Sequence, residues 1–207
     1  MSVRLSKRLK KYDKKGEEHY NLISALHKSI RGSDPDAALY WLARILDGGE
    51  DPRFIARRLL RMALEDVGLA DPQAQTICLH AWQSFESLGS PEGELALAQA
   101  ALYLALAPKS NASYKGFNLS LDLVKQTSSE HPPKHILNAP TDLMREQGYG
   151  VGYEYDHDNA DGFSGQNYFP EKIERSSAYQ PVERGFEREL KKRISYFKSL
   201  REKRKSI

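Results

Sequence analysis

The chain has 207 residues, of which 29% are charged and 10% aromatic, and its formal net charge is +3. This length allows one large domain or two small ones with a buried core. The single cysteine, Cys78, excludes a disulfide scaffold, and no apolar run reaches the roughly 18 residues of a membrane span. The basic N-terminus lacks the apolar region of a signal peptide. We therefore expect a soluble protein of a reducing compartment.

Charge is distributed unevenly along the chain. Residues 1–15 carry seven basic side chains and one aspartate, and residues 184–207 carry ten basic and three acidic ones. The ends are thus +6 and +7, which leaves −10 for residues 16–183. An acidic body with basic ends suggests a polyanionic partner, although lysine-rich ends that only solubilise terminal helices explain the same pattern.

The first predicted element is helical and covers residues 3–30. Apolar side chains recur every three or four residues, with an interruption at Gly16. Gly32 is well placed as a C-terminal cap, since glycine is favoured just after a helix. The apolar positions are Leu5, Leu9, Tyr12, Tyr20, Ile23, Leu26 and Ile30.

Four later helices are predicted to begin in the same way. A capping side chain precedes a proline at the first helical position in Asp34-Pro35, Asp51-Pro52, Asp71-Pro72 and Ser90-Pro91. Successive starts lie 17, 20 and 19 residues apart, which allows a helix of about 14 residues and a short turn. Short connections make neighbouring helices antiparallel, so stacked helical hairpins are predicted.

The helix that follows Ser90-Pro91 is predicted to be the centre of the domain. Over Leu95–Ala107 its only polar residue is Gln99, and a helix without a polar face is normally buried. The segment Ala37–Leu46 is apolar except for Arg44, and we expect it to be largely buried as well.

The helix after the second Asp-Pro pair differs because one of its faces is basic. Arg53, Arg57 and Arg61 fall at positions i, i+4 and i+8, and Arg58 joins them. Such a stripe can bind phosphates. It can equally be a solvated face, whose charge is neutralised by Glu65 and the nearby Asp66. The sequence leaves both interpretations open.

The last part of the chain is less regular. A further helix is expected after Pro108, followed by a proline-rich connector over 128–140 and a short helix over 142–147. The segment 148–170 is rich in glycine, aspartate and aromatic residues, and aromatic burial predicts that it is ordered but irregular. A basic C-terminal helix has one apolar face, formed by Phe186, Leu190, Ile194, Phe197 and Leu200.

No catalytic or metal-binding arrangement stands out. The sequence has no G-x-x-x-x-G-K-[ST] phosphate loop. Prolines between His131 and His135 prevent the helix that would align them on a metal. The acidic run from Asp156 fails as a calcium loop, because Asp161 stands where glycine belongs. The residues alone support an all-α interaction or assembly domain, with no catalytic, cofactor-binding or metal-binding residue.

Several long runs carry a family resemblance. They are Asp13–Arg44, Asp51–Pro72 and Ser90–Asn111, continued by Asn138–Gly152 and Gln180–Gly185. These runs resemble the C-terminal part of the replication-associated recombination protein A (MgsA) family, the bacterial relatives of the Werner-helicase-interacting AAA+ ATPases. The resemblance covers nearly the whole chain.

The resemblance implies an all-α fold of stacked antiparallel helical hairpins, like the collar of a clamp loader. A long irregular glycine- and aromatic-rich segment and a basic C-terminal helix complete it. The resemblance also divides the chain into three parts. These are the end of the ATPase lid with connector helices (1–32), a helical oligomerisation core (33–127), and the connector, irregular segment and C-terminal helix packed on that core (128–207).

The resemblance further implies that the parent protein is a DNA-dependent AAA+ ATPase acting at stalled or gapped forks in DNA replication, recombination and repair. Its phosphate loop, Walker B residues and arginine finger, which bind ATP and Mg²⁺, would lie before Met1. This chain is therefore expected to be neither an enzyme nor a cofactor-binding domain. Its expected role is oligomerisation as the collar of a homotetramer, and the alternative is a monomeric DNA-binding module.

Two sets of residues are candidates for these roles. Weak, sequence-independent DNA binding is predicted for Lys10, Lys11, Lys14, Lys15, Arg57, Arg58 and Arg61. The oligomer interface is predicted near Leu102 or Tyr103. The expected partners are further copies of the chain, single-stranded or fork-like DNA and single-stranded-DNA-binding protein, with no membrane. The expected location is the bacterial cytoplasm, at the nucleoid.

Overall fold

The computed structural model describes residues 17–205, and helices of all kinds account for 64% of them. No strand occurs among these residues, so the prediction of an all-α fold is confirmed. Within the same range no helix is both long and apolar enough to cross a membrane. The helices are α1 (Glu17–Arg31), α2 (Pro35–Asp47), α3 (Pro52–Met62), α4 (Gln73–Leu88), α5 (Glu94–Leu106), α6 (Ala112–Thr127), α7 (Asp142–Glu146) and α8 (Glu187–Lys205). The predicted helix over residues 3–16 and the lysines at 10–15 lie outside the described residues.

The chain forms two compact units. The first contains the described residues up to Tyr114 together with 182–187, and the second contains 115–181 together with the described residues from Arg188 onward. The chain therefore leaves the first unit after Tyr114 and returns to it for six residues. The division at residues 32 and 127 that the sequence suggested stays a prediction.

Helix α5 is the centre of the first unit, as predicted. It packs against α1, α2, α3 and α4, and sequence neighbours α1–α2 and α3–α4 also pack together. Three of the five buried side chains on α5 are alanines, which allow the surrounding helices to approach closely. The five are Leu97, Ala100, Ala101, Leu104 and Ala105.

The predicted capping side chains accept hydrogen bonds at three of the four helix starts, and all three are carboxylates. Asp34 and Asp51 each accept a hydrogen bond of 2.9 Å from a backbone N–H in the first turn of α2 and α3. Asp71 accepts one of 3.0 Å from the N–H of Gln73, although α4 begins one residue later than predicted, with Pro72 in the capping position. These carboxylates satisfy backbone donors that a helix leaves unpaired.

The predicted start of α5 is wrong. Ser90-Pro91, joined by a cis peptide bond, lies in a turn, and α5 begins at Glu94. The N–H of Gly93 donates to the carbonyl oxygen of Gly89 at 2.6 Å. A Cβ at Gly93 would lie 2.8 Å from the Cα of Phe85, so only glycine fits there. Close packing of this turn against the end of α4, rather than a serine cap, sets the start of α5.

The expectation that Ala37–Leu46 of α2 is largely buried holds for eight of these ten residues, which are buried or half-buried. Ala38, Leu42 and Ile45 are buried, but Tyr40 on the same helix is 57% exposed. The helix therefore buries one face and leaves apolar surface on another. The buried face is the side that meets α1 and α5.

Residues 182–187 return to the first unit through a tight backbone contact. The N–H of Phe186 donates to the carbonyl oxygen of Ala70 at 2.7 Å. Gly185 has φ +53°, and a Cβ there would lie 2.0 Å from the same carbonyl oxygen. Any other residue at position 185 would force the two segments apart, so this glycine fixes the point of return.

In the second unit, the irregular segment is ordered, as predicted. The carboxylate of Asp156 accepts hydrogen bonds from the backbone N–H and hydroxyl of Ser164, at 2.7 and 2.8 Å, and from the hydroxyl of Tyr168 at 2.8 Å. The ring of Phe163 packs on that of Phe197 in α8, with centroids 5.2 Å apart. Aromatic contacts and a shared carboxylate thus replace regular secondary structure in this segment.

Replacement of Leu104 by alanine tests the central position of α5. This side chain is fully buried, so its truncation leaves a cavity where four helices meet, and we expect a loss of about 3 kcal/mol in the free energy of unfolding. Urea unfolding followed by circular dichroism measures the change.

The matched control is Leu88→Ala, at the end of α4, where the side chain is 58% exposed. Its expected effect is under about 0.5 kcal/mol. Equal effects of the two substitutions would contradict a core centred on α5.

Candidate functional site

An exposed apolar stripe runs along the side of α5 that faces away from the core. Leu95, Gln99, Leu102 and Leu106 stand at positions i, i+4, i+7 and i+11, so they share one helix face. Leu95 is 66% exposed and Leu106 is 69% exposed. We call these four residues the outer α5 face. Its 4-3-4 spacing is that of a helix seam that packs against another helix.

The two predicted interface residues have different surroundings. Leu102 is half-buried and belongs to the outer α5 face. Tyr103 packs against the core, and its hydroxyl donates to the carboxylate of Asp71 at 2.6 Å. This hydrogen bond, together with burial, raises the pKa of Tyr103 to about 12. Leu102 is thus available to a partner, whereas the polar end of Tyr103 is already engaged.

The arginine stripe of α3 is neutralised at both ends. Arg53 forms an ion pair with Glu86 at 2.7 Å, and Arg61 forms one with Glu65 at 2.7 Å. In the middle, the guanidinium of Arg57 lies 5.8 Å from the centre of the Phe54 ring, and no carboxylate among residues 17–205 pairs with it. The stripe combines paired and unpaired cations.

A groove between α1 and α3 brings unpaired cations and aromatic rings together. It encloses about 350 Å³, and its lining includes Lys28, Arg58, Phe54 and Tyr20, the last of which is 68% exposed. The Nε of Arg58 is buried and has no hydrogen-bond partner in the described part of the chain. Cations can bind a phosphate backbone, and aromatic rings beside them can stack on the bases. We call this the α1–α3 groove.

Sequence reasoning missed a buried ionic cluster centred on Asp66. This carboxylate is 6% exposed, and it lies 2.5 Å from both His27 Nε2 and Arg31 Nε. Burial alone would raise the pKa of Asp66. The hydrogen bonds from His27 and Arg31 outweigh that effect and hold the pKa below its ordinary value of 3.8.

A five-residue π-helical turn explains why Asp66 was misread. The sequence placed Asp66 beside the arginine stripe, with Glu65, as a neutralising charge. The turn Ala63–Val67 follows α3 directly and changes the phase of the helix. As a result Glu65 stays on the surface with Arg61, while Asp66 turns inward.

A second buried carboxylate, on Glu187, ties distant parts of the first unit together. It is fully buried and accepts hydrogen bonds of 2.8 Å from the hydroxyl of Ser110 and from the N–H of Val182. Ser110 in turn donates its backbone N–H to the carbonyl oxygen of Asp66 at 2.7 Å. Sequence periodicity alone cannot reveal this link, because residues 110 and 187 are far apart in the chain.

The buried carboxylates of Asp66 and Glu187 are not part of a group of possible metal ligands in the described part of the chain. Within residues 17–205, no three His, Cys, Asp or Glu side chains are placed to hold a metal ion. Cys78 is buried, and burial raises the pKa of its thiol to about 12, so it does not supply a thiolate nucleophile at neutral pH. The geometry favours binding surfaces, namely the outer α5 face and the α1–α3 groove.

Two family models match consecutive parts of the chain. Residues 32–198 match the family model described as MgsA AAA+ ATPase C terminal, and residues 1–31 match the AAA C-terminal domain. The chain belongs to the MgsA AAA+ ATPase C-terminal family. Membership in this family confirms the resemblance found in the sequence.

Several relatives of the MgsA family are similar over most of the chain. Replication-associated recombination protein A of Coxiella burnetii is 52% identical over 98% of the chain and 46% of the relative. The protein of the same name from Escherichia coli K12 is 49% identical over 90% and 42%. ATPase WRNIP1 of Dictyostelium discoideum is 42% identical over 82% and 19%. The chain thus spans less than half the length of these curated relatives.

Replacement of Asp66 by asparagine tests the buried cluster. The amide leaves the largely buried His27 and the half-exposed Arg31 without their charged acceptor. We expect the free energy of unfolding at pH 7 to fall by about 2 kcal/mol. Because the folded-state pKa of Asp66 is lowered, its stabilisation is present above about pH 4 and is lost as pH falls through that pKa. The stability difference between the wild type and the variant should therefore narrow below about pH 4, as measured by urea unfolding at several pH values.

Asp142→Asn is the control, since this carboxylate is 90% exposed and pairs with Arg145 within one turn of α7. Its stability should change little at any pH. A difference at Asp66 that stays constant from pH 7 to pH 3 would show that the carboxylate charge is not the cause.

Proposed function

We propose that this chain is the assembly domain, or collar, of a DNA-dependent AAA+ ATPase that acts at stalled or gapped replication forks. The single observation that carries the proposal is the outer α5 face. The central helix of the first unit buries one face completely and exposes leucines on the opposite face. Membership in the MgsA family and the names of its relatives support the wider setting in replication and recombination.

The outer α5 face is suited to contact with a second copy of the chain. Burial of one exposed leucine side chain stabilises a contact by roughly 1.5–3 kcal/mol. Leu95 and Leu106 lie 11 residues apart, which corresponds to about 16 Å along the helix axis. A leucine row of that length packs naturally against its own equivalent, as in a helical seam. Apolar contacts of this kind also persist while ATPase modules move, since they do not depend on screened surface charges.

We assign ATP hydrolysis to the parts of the ATPase that lie outside the region matched here. ATPase WRNIP1 of Dictyostelium discoideum is named for that activity, and the chain covers 19% of it. ATP and Mg²⁺ are accordingly proposed as ligands of the parent rather than of this chain. The proposed location is the bacterial cytoplasm at the nucleoid, and single-stranded-DNA-binding protein is a further proposed partner.

DNA contact is proposed as a secondary role of the same domain. Arg57 and Arg58 lack carboxylate partners within residues 17–205, and Arg58 lines the α1–α3 groove with Tyr20. This arrangement supports DNA contact, and the alternative function is a DNA-binding module that remains monomeric. The two functions differ in oligomeric state, so molar mass separates them.

Introduction of negative charges on the outer α5 face tests assembly. The wild-type chain should form a homotetramer at micromolar concentration without ATP or DNA. The double substitution Leu95→Glu/Leu106→Glu places like charges opposite one another in the proposed seam, and a monomer near 23.5 kDa is expected. Size-exclusion chromatography with light scattering measures both masses.

Leu143→Glu is the matched control, because this leucine on α7 is 63% exposed and lies in the second unit. It should leave the mass unchanged. A monomeric wild type would overturn the collar and favour the DNA-binding module, and a tetrameric Leu95→Glu/Leu106→Glu variant would place the interface elsewhere.

Reversal of the four N-terminal lysines tests the predicted DNA contact. Replacing Lys10, Lys11, Lys14 and Lys15 by glutamate should weaken binding to single-stranded DNA and flatten its dependence on salt. If all four side chains contact phosphates, the slope of log K against log salt should decrease in magnitude by about 3. Fluorescence anisotropy over a salt series measures it.

Two single substitutions test the arginine stripe of α3. Arg57→Ala removes an unpaired cation and should weaken binding severalfold, whereas Arg53→Ala removes a cation already paired with Glu86 and should change it little. If the variant with the four lysines replaced binds DNA with unchanged affinity, the N-terminal lysines do not contact DNA and only keep the chain soluble.

A further inference from the structure

A long basic groove lies in the second unit. Its lining contains none of the seven residues named as DNA-binding candidates, although part of it belongs to the basic C-terminal segment 184–207. It encloses about 830 Å³ between α8 and the extended residues 175–181. One carboxylate, that of Glu202, lines the groove. It is outnumbered by four cations, which lie there together with one aromatic ring and one aliphatic side chain. They are Arg175, Lys191, Lys198, Arg201, Tyr179 and Ile194. We call it the α8 groove.

Three of these cations have no acidic partner. No carboxylate among residues 17–205 forms an ion pair with Arg175, Lys198 or Arg201. The Nε of Arg201 is buried and lacks a hydrogen-bond partner in the same range. Burial, and then the positive charge of Arg175, lower the pKa of Arg201. Two guanidinium groups that repel each other across a groove are stabilised when an anion lies between them.

Aromatic rings hold the two arginines in place. The guanidinium of Arg201 lies 5.0 Å from the centre of the Phe163 ring, and that of Arg175 lies 5.7 Å from the centre of the Phe169 ring. Stacking on a ring restrains the side chain and leaves N–H groups at the edge of the guanidinium free to donate. The cations are therefore positioned before any ligand binds.

The cations are spread along the helix rather than gathered at one point. Lys191 and Arg201 lie ten residues apart on α8, which corresponds to about 15 Å along the helix axis, with Lys198 between them. A single phosphate or carboxylate spans only a small part of this distance. The arrangement matches an elongated polyanion with regularly spaced charges.

The apolar part of the lining distinguishes between kinds of polyanion. Tyr179 is half-buried in the groove wall, and Ile194 on α8 is 42% exposed. A base that is not paired in a duplex can stack on such a ring, whereas an acidic peptide gains only the charge contacts. We propose that the α8 groove binds single-stranded nucleic acid, with its cations on the phosphates and Tyr179 against a base. This inference rests on the DNA contact proposed above and gives it a location.

The test uses the whole chain and a fluorescein-labelled 20-nucleotide oligo(dT), titrated over a salt series. Arg175→Ala/Lys198→Ala should weaken binding about tenfold at low salt and reduce the salt slope by about 1.4, since single strands contribute about 0.7 per phosphate contact. Tyr179→Leu should weaken binding severalfold with an unchanged slope, because it removes stacking and no charge. Circular dichroism confirms that each variant is folded.

The control is Lys192→Ala/Lys203→Ala, which removes the same charge from α8 at two exposed positions outside the groove. It should weaken binding less than threefold. An equal loss in the control would overturn the groove and leave only the general charge of α8. Displacement of the oligonucleotide by poly-glutamate at a lower concentration than by unlabelled oligo(dT) would also overturn it, in favour of an acidic peptide.

The outcomes separate this inference from the proposed function. If the wild type binds oligo(dT) and the groove variants bind equally well, the α8 groove is wrong while DNA contact elsewhere in the domain stands. If the wild type does not bind at low salt, the groove and the DNA contact both fail. The collar is then judged by molar mass alone.

Discussion

The first unit depends on the close approach of four helices to the inner face of α5. Alanine at positions 100, 101 and 105 makes this approach possible, because a larger side chain would hold the neighbouring helices apart. The buried leucines of the same face, Leu97 and Leu104, fill the remaining space. Since the inner face is complete without the outer leucines, the outer α5 face is free to serve a second contact. One helix thereby supports both the fold and the proposed assembly.

Local interactions were the part of the fold that the sequence predicted best. Asp34 and Asp51 cap the helices that follow them because a short side chain and its own backbone decide the contact. Ser90 failed as a cap because the turn before α5 is shaped by Phe85, a residue of the preceding helix. Asp66 was misplaced for a related reason, since a π-helical turn is invisible to a search for regular periodicity. Contacts that need a partner from another element lie beyond sequence patterns.

The candidate sites follow the same division. Leu102 was predicted near an interface because α5 is apolar on too many sides for one core, and the exposed leucines on its outer face agree with that reasoning. The arginine stripe of α3 was also visible, but its pairing with Glu86 was not, because Glu86 lies on another helix. The charge of residues 184–207 suggested a polyanionic partner, but the sequence did not show which of these side chains form the α8 groove. Basic residues on a terminal helix resemble any solvated helix until the structure shows which of them lack acidic partners.

The return of the chain to the first unit has an evolutionary consequence. Gly185 and Glu187 fix where residues 182–187 attach, and Tyr114 marks where the chain departs. Everything between these points behaves as an insertion whose ends are fixed by the first unit. The entropy of closing such an insertion changes by only about 0.6 kcal/mol for each doubling of its length. The length of residues 115–181 can therefore change at little cost to the packing around α5, provided that partners of α8 such as Phe163 are kept.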